Sequence, residues 1–218
     1  MDAPDLDPGT YARILANLAR VNGWTLARRP TIAFLSRALG GARRFRLLDV
    51  GFGHGDMLRA IAEWARRRSI DADLVGVDLN PKSAAVAAAA TPPELNIRYL
   101  SGDYRELGGG FDFIVSNLVA HHMSPEELRD FLRFMEAEAG RGWLVNDLHR
   151  HHIPYAGYPL LCRIMGWHRI IREDGQLSVA RSFRPHEWRA ILQDAGIPEG
   201  AARIARRFPF RLCVERLR

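Results

Sequence analysis

Leu47-Leu-Asp-Val-Gly-Phe-Gly-His-Gly55 is an apolar run that ends in three alternate glycines. Phe45 to Val50 fits a short buried strand, and an amphipathic helix is predicted from just after the glycines to about Arg68. A strand that turns sharply into a helix brings backbone N–H groups to one point. Glycines permit that turn and let a ligand approach without a Cβ in the way. The spacing is Gly-x-Gly-x-Gly, whereas dinucleotide binders carry Gly-x-Gly-x-x-Gly. Asp49 at the strand end would repel a pyrophosphate and attract a cationic amine.

Outward from this turn, the pattern alternates. Leu74–Asp78, Ile97–Leu100, Phe111–Val115 and Gly142–Asn146 read as further strands. Helices are predicted over Pro81–Ala90 and Pro125–Ala139, the second with a Ser124/Glu127 capping box. Strands alternating with helices imply parallel pairing in a doubly wound α/β sheet. Before this core, Tyr11–Leu39 carries apolar residues at helical spacing. Two helices are predicted there, with breaks near Gly23 and near Arg29-Pro30. After it, residues 150–182 show no clean strand–helix unit. Pro185–Ala195 reads as a helix stopped by Gly196. Ile204–Phe208 and Arg211–Val214, joined at Pro209-Phe210, read as an antiparallel hairpin. The expected organisation is one domain: a helical cap (1–41), a core (42–149), a lid (150–183), and a last helix with the hairpin (184–218).

Composition narrows the class. The hydrophobic fraction of 47% over 218 residues is too high for a disordered chain. No apolar run nears the roughly 20 residues that span a bilayer. Met1–Thr10 is acidic without an apolar stretch, which predicts no secretory signal. Two cysteines, Cys162 and Cys213, exclude a disulfide scaffold and a cysteine-based zinc site, so a cytoplasmic location is expected. The net charge of +6 invites a nucleic-acid partner. Its placement weakens that reading: 14 Arg against 7 acids from Arg141 onward, and 17 basic against 18 acidic residues before it. The core is nearly neutral. One Lys among 31 basic residues fits an Arg-rich proteome better than a phosphate-binding surface.

Asp78 stands 27 residues after Gly51, where a strand-end carboxylate can accept from both ribose hydroxyls of an adenosine. Gly102-Asp103-Tyr104 follows the third strand, where an acid can bind an adenine amino group and Tyr104 can stack. With these residues, the chain over about 45–148 resembles the class I S-adenosylmethionine-dependent methyltransferases. That resemblance implies a Rossmann-like seven-stranded sheet whose last two strands form an antiparallel hairpin. It assigns S-adenosyl-L-methionine as cofactor and S-adenosyl-L-homocysteine as product. The expected cofactor residues are Asp49, Gly51, Phe52, Gly53, Gly55, Asp78, Leu79, Gly102, Asp103, Tyr104 and Asn117.

Ser116-Asn117-Leu-Val-Ala-His-His-Met123 follows the fourth strand, at the edge where open α/β sheets bind ligands. It lacks the Asn-Pro-Pro-Tyr signature of enzymes that methylate base amino groups. It is similar instead to the small-molecule branch around ubiquinone and menaquinone biosynthesis. The fifth strand leads into Asn146-Asp-Leu-His-Arg-His-His152. Transfer to a phenol needs its proton removed, and His titrates near neutrality. His149, His122 and His121 are the candidate bases, with His149 or His122 favoured. A metal held by Asp147, His149 and His151 or His152 is weighed as well, but loop spacing does not diagnose one and none is expected.

Tyr155, Tyr158, Met165 and Trp167 are the expected acceptor contacts, in an apolar lid. Asn146–Phe183 and Leu18–Trp24 are similar to bacterial methyltransferases of polyketide-derived phenolic lipids and quinone-like products. The expected reaction is O-methylation of a phenolic or quinol hydroxyl on an aromatic or lipid-tailed molecule. Rival readings are C-methylation of a quinol ring, methylation of RNA or protein, and cofactor binding without catalysis. A monomer or dimer is expected.

Overall fold

The computed structural model describes residues 8–165, 167 and 169–218. Seven strands form one sheet: β1 (Arg44–Val50), β2 (Asp71–Asp78), β3 (Ile97–Ser101), β4 (Phe111–Asn117), β5 (Ala139–Leu148), β6 (Arg203–Arg207) and β7 (Arg211–Leu217). Their order is β3-β2-β1-β4-β5-β7-β6. The first five are parallel, and β7 enters between β5 and β6, antiparallel to both. This is the seven-stranded, doubly wound sheet with the antiparallel hairpin anticipated above.

Side chains alternate across the sheet, and both faces are covered, so the central strands read as continuous apolar runs. Leu47, Leu74, Phe113, Leu144 and Cys213 pack on one face. There they meet α2 (Arg28–Ala38) through Phe34 and Leu35, and α3 (Asp56–Arg67) through Leu58, Ile61 and Trp64. Ala87 of α4 (Ser83–Ala89) completes that layer. Leu48, Val75, Ile114, Val145 and Val214 face the other side. They pack on Phe131 and Leu132 of α5 (Pro125–Glu138) and on Trp188 of α8 (Pro185–Asp194). The capping box at Ser124 and Glu127 is made in both directions.

The break expected near Gly23 is observed, since α1 runs Pro8–Trp24; Pro30, expected near a second break, sits buried in the first turn of α2. A proline in a first turn forgoes no intrahelical bond. The segment expected to form a lid is two helices, α6 (His152–Ile164) and α7 (Arg169–Arg181). Its prolines and glycines hid them. Pro159 lies inside α6 and cannot donate to Tyr155. The Tyr155 carbonyl instead accepts from Gln176 Nε2 of α7 at 3.2 Å, so the neighbouring helix satisfies it.

Gly175 of α7 is where the two lid helices come closest. A Cβ there would fall within the Tyr158 ring of α6. Gly175→Ala gains up to ~1 kcal/mol of helix propensity but overpacks by about 1–3 kcal/mol. The expected result is a lower melting temperature, which thermal denaturation checks.

Candidate active site

The strand order reverses between β1 and β4, and ligands of such sheets sit outside the carboxyl ends of the strands there. A cavity of about 680 Å³ opens at that point. Its floor is the glycine turn after β1 and the segment after β4. Its walls are α1, α6 and α7, and Pro209–Arg211 close one side.

The turn is fixed by its surroundings. Gly51 and Gly55 have φ of 78° and 74°. A Cβ on Gly51 would overlap Val119 Cγ2, and one on Gly55 would lie 2.5 Å from Tyr99 Oη. Asp78 binds the turn to β2: its carboxylate accepts from Gly53 N and Asn80 N, each at 2.9 Å. Two acceptor sites remain for hydroxyls. Gly51→Ala adds steric overlap to a conformation that L residues disfavour. Loss of S-adenosylhomocysteine binding by at least about tenfold is expected, measured by calorimetry.

A polar chain crosses the floor. Asn117 Nδ2 donates to Asp49 Oδ1 at 3.3 Å, and Asn117 Oδ1 accepts from Thr31 Oγ1 at 2.7 Å and Asn146 Nδ2 at 3.1 Å. Asn146 also donates to the Ala27 carbonyl. Asp49 is 1% exposed. Burial pushes its carboxyl up to about 8; the Asn117 hydrogen bond pulls the other way, and Asp56 and Asp78 add to the rise.

Beside this chain lies a buried imidazole–carboxylate pair. His121 Nδ1 is 2.7 Å from Asp147 Oδ1, and His121 N donates to Asp147 Oδ2 at 3.0 Å. Leu148 N donates to the same carboxylate. Desolvation would raise the Asp147 carboxyl, but His121 and these donors outweigh it and hold it below the usual range. An ionised carboxylate accepts only, so Nδ1 carries a proton, and in the neutral ring the lone pair then lies on Nε2. Nε2 is buried and has no hydrogen-bond partner. Asp147 is thus the orienting partner of His121. Among the described residues, no group of three or more His, Cys, Asp or Glu is placed to hold a metal ion.

The other expected residues divide. Asp49, Gly51, Phe52, Gly53, Asn117, His121, His122, His149 and Tyr158 line the cavity together. His122 is exposed, with its ring against His121 at 4.2 Å between centroids. His149 is largely buried; burial first, and then Arg206, His151 and Arg184, lower its pKa. Gly55, Asp78, Leu79, Gly102, Asp103 and Tyr104 lie outside the lining, toward the open β2–β3 side. Leu79 is exposed. Asp103 is held by Arg105, with Nη2 2.6 Å from Oδ2. Tyr104 sets its ring against Phe131 and Phe134 of α5. Tyr155, Met165 and Trp167 are not in the lining either. The helical phase of α6 sets Ile153, Pro154, Gly157, Tyr158 and Leu161 along the cavity and Tyr155 outside it. Arg211, at the start of β7, lines the cavity and was not anticipated. Its one sequence signal is a cation set in the apolar run Phe208-Pro-Phe-Arg-Leu-Cys-Val214.

Residues 47–138 match a family model described as a methyltransferase domain. No curated protein matches the chain. Solved structures share its fold. Magnesium protoporphyrin IX methyltransferase from Synechocystis PCC 6803, with bound S-adenosylhomocysteine, is 20% identical with a TM-score of 0.59, over 90% of this chain and 83% of that one. A methyltransferase from Aquifex aeolicus described as dependent on S-adenosylmethionine is 17% identical with a TM-score of 0.63, over 98% and 99%. The plantazolicin methyltransferase BpumL, in complex with a triazolic substrate analogue and S-adenosylhomocysteine, is 14% identical with a TM-score of 0.66, over 94% and 91%.

Proposed function

We propose, for a chain that carries a methyltransferase domain on the class I S-adenosylmethionine-dependent methyltransferase fold, that the acceptor is a hydroxyl of a hydrophobic aromatic small molecule, a phenol or quinol. The observation that carries this reading is the His121–Asp147 pair beside the glycine turn in one largely apolar, lidded cavity. S-adenosylmethionine supplies an electrophilic methyl group and leaves as S-adenosylhomocysteine. Asp49 fits its ammonium group: a buried carboxylate with one side-chain donor gains most from a cation. Asp78 is the proposed ribose acceptor, and Asp103 the proposed partner of the adenine amino group. Nε2 of His121 takes the hydroxyl proton as the oxygen attacks. Asp147 holds the ring in the tautomer that can do so. Apolar walls from α1, α6 and α7 exclude water and align the acceptor with the methyl group.

Methyl-labelled S-adenosylmethionine incubated with a panel of alkylated phenols and quinols tests this reading. Label on oxygen, located by mass spectrometry, is expected. Label on ring carbon shifts the assignment to C-methylation, and no transfer to any member overturns it. An RNA acceptor would need steep salt dependence, whereas transfer within this cavity is expected to depend little on salt.

A further inference from the structure

Two guanidinium nitrogens of Arg211 find no hydrogen-bond partner among the described residues. Arg211 pairs with Leu148 across β5 and is 3% exposed. Nη2 donates to Thr25 Oγ1 at 3.0 Å, in the turn between α1 and α2. Nε and Nη1 are buried with no hydrogen-bond partner. The acid on the adjoining strand is Asp147, and His121 and Leu148 already occupy both its oxygens. Burial pushes the guanidinium down to about 10, opposed by Asp147, Cys213, Tyr158 and Asp56 in turn. A desolvated guanidinium is disfavoured unless an anion joins it, and its planar donors suit oxyanions.

Resting on the aromatic-hydroxyl reading above, we infer that Arg211 docks an anionic oxygen group of the acceptor, either a ring carboxylate or the phenolate itself. Both Arg211 and His121 line the one cavity, from the ends of β7 and β4. An aromatic acid with a hydroxyl near its carboxylate places the carboxylate on the cation and the hydroxyl toward the imidazole. The pair then sets regiochemistry as well as affinity.

Calorimetric titration of the S-adenosylhomocysteine-saturated protein with 2-hydroxybenzoate and with its methyl ester tests this inference. If the anion is a carboxylate, the acid binds the wild type about 10- to 100-fold tighter than the ester at neutral pH. Arg211→Gln removes that preference, and Arg211→Lys keeps part of it. If the anion is the phenolate, the ester gains affinity as pH rises through its phenol ionisation, in the wild type and not in Arg211→Gln. Equal binding of acid and ester at every pH, binding of neither, or a preference unchanged in Arg211→Gln overturns the inference. Should Arg211→Gln fail to fold, an acid preference in the wild type that Arg211→Lys leaves undiminished does so. Methyl transfer to neutral phenols in the same preparations separates the two readings. Arg211-dependent acid binding without transfer keeps Arg211 and removes the hydroxyl acceptor. Transfer with neither an acid preference nor an Arg211-dependent rise of ester affinity with pH does the reverse.

Discussion

His121→Ala lowers kcat for methyl transfer to a phenol by about 10²–10⁴-fold, with the KM for S-adenosylmethionine little changed. The reason lies in one nitrogen. Nε2 belongs to a residue fixed by two contacts to Asp147, one from the ring and one from the backbone N–H. Alanine at His149 or His122 lowers kcat far less. Asp147→Asn is the sharper variant. The asparagine amide donates toward Nδ1, which moves the ring proton to Nε2 and blocks proton uptake. Its rate falls almost as far as that of His121→Ala, while the S-adenosylhomocysteine affinity persists. Steady-state kinetics for each protein decide the matter: a kcat in His121→Ala close to the wild-type value removes the role.

Asp49→Asn moves two properties in opposite directions. In the wild type, burial lifts the folded carboxyl to about 8 from an ordinary value of 3.8, so the fold favours the neutral acid. The linkage has a definite sign. Stability from this group is complete below the unfolded value and is lost as pH rises through the folded one, from about 4 to about 8. Asparagine imitates the neutral acid, so the variant's ligand-free melting temperature is the higher of the two at pH 8. Its affinity for S-adenosylmethionine falls by about 10- to 100-fold, the worth of a charge-assisted bond to the ammonium. In the wild type, binding drives ionisation, so it releases a proton below about pH 8 and tightens as pH rises. Calorimetry in buffers of different ionisation enthalpy reads that proton directly.

The legible part of the molecule is local. Leu47–Gly55 announces its turn because strand, glycines and helix are contiguous. The two apolar layers follow from period-2 alternation along each strand. The site's less legible residues meet only through topology. His121 and Asp147 are 26 positions apart and touch because β4 and β5 are neighbours, with Asn117 opposite Asn146. Arg211 is one of 14 arginines after residue 140, and only the placement of β7 against β5 turns it inward. The lid helices contradict their own composition. Pro159 is tolerable because Gln176, on another helix, answers the carbonyl it leaves bare.

The insertion of β7 between β5 and β6 has a consequence for biosynthesis. While the chain leaves the ribosome, β1 to β5 can pair as each emerges, but β5 keeps one edge bare until residues 211–217 are made. β6 arrives first and has no partner of its own until β7 follows. An open edge of this kind invites pairing with other nascent chains. The last strand therefore closes the sheet and delivers Arg211 in a single event. A chain shortened before residue 211 would keep the glycine turn and the His121–Asp147 segments, yet have an exposed edge and an open-sided cavity.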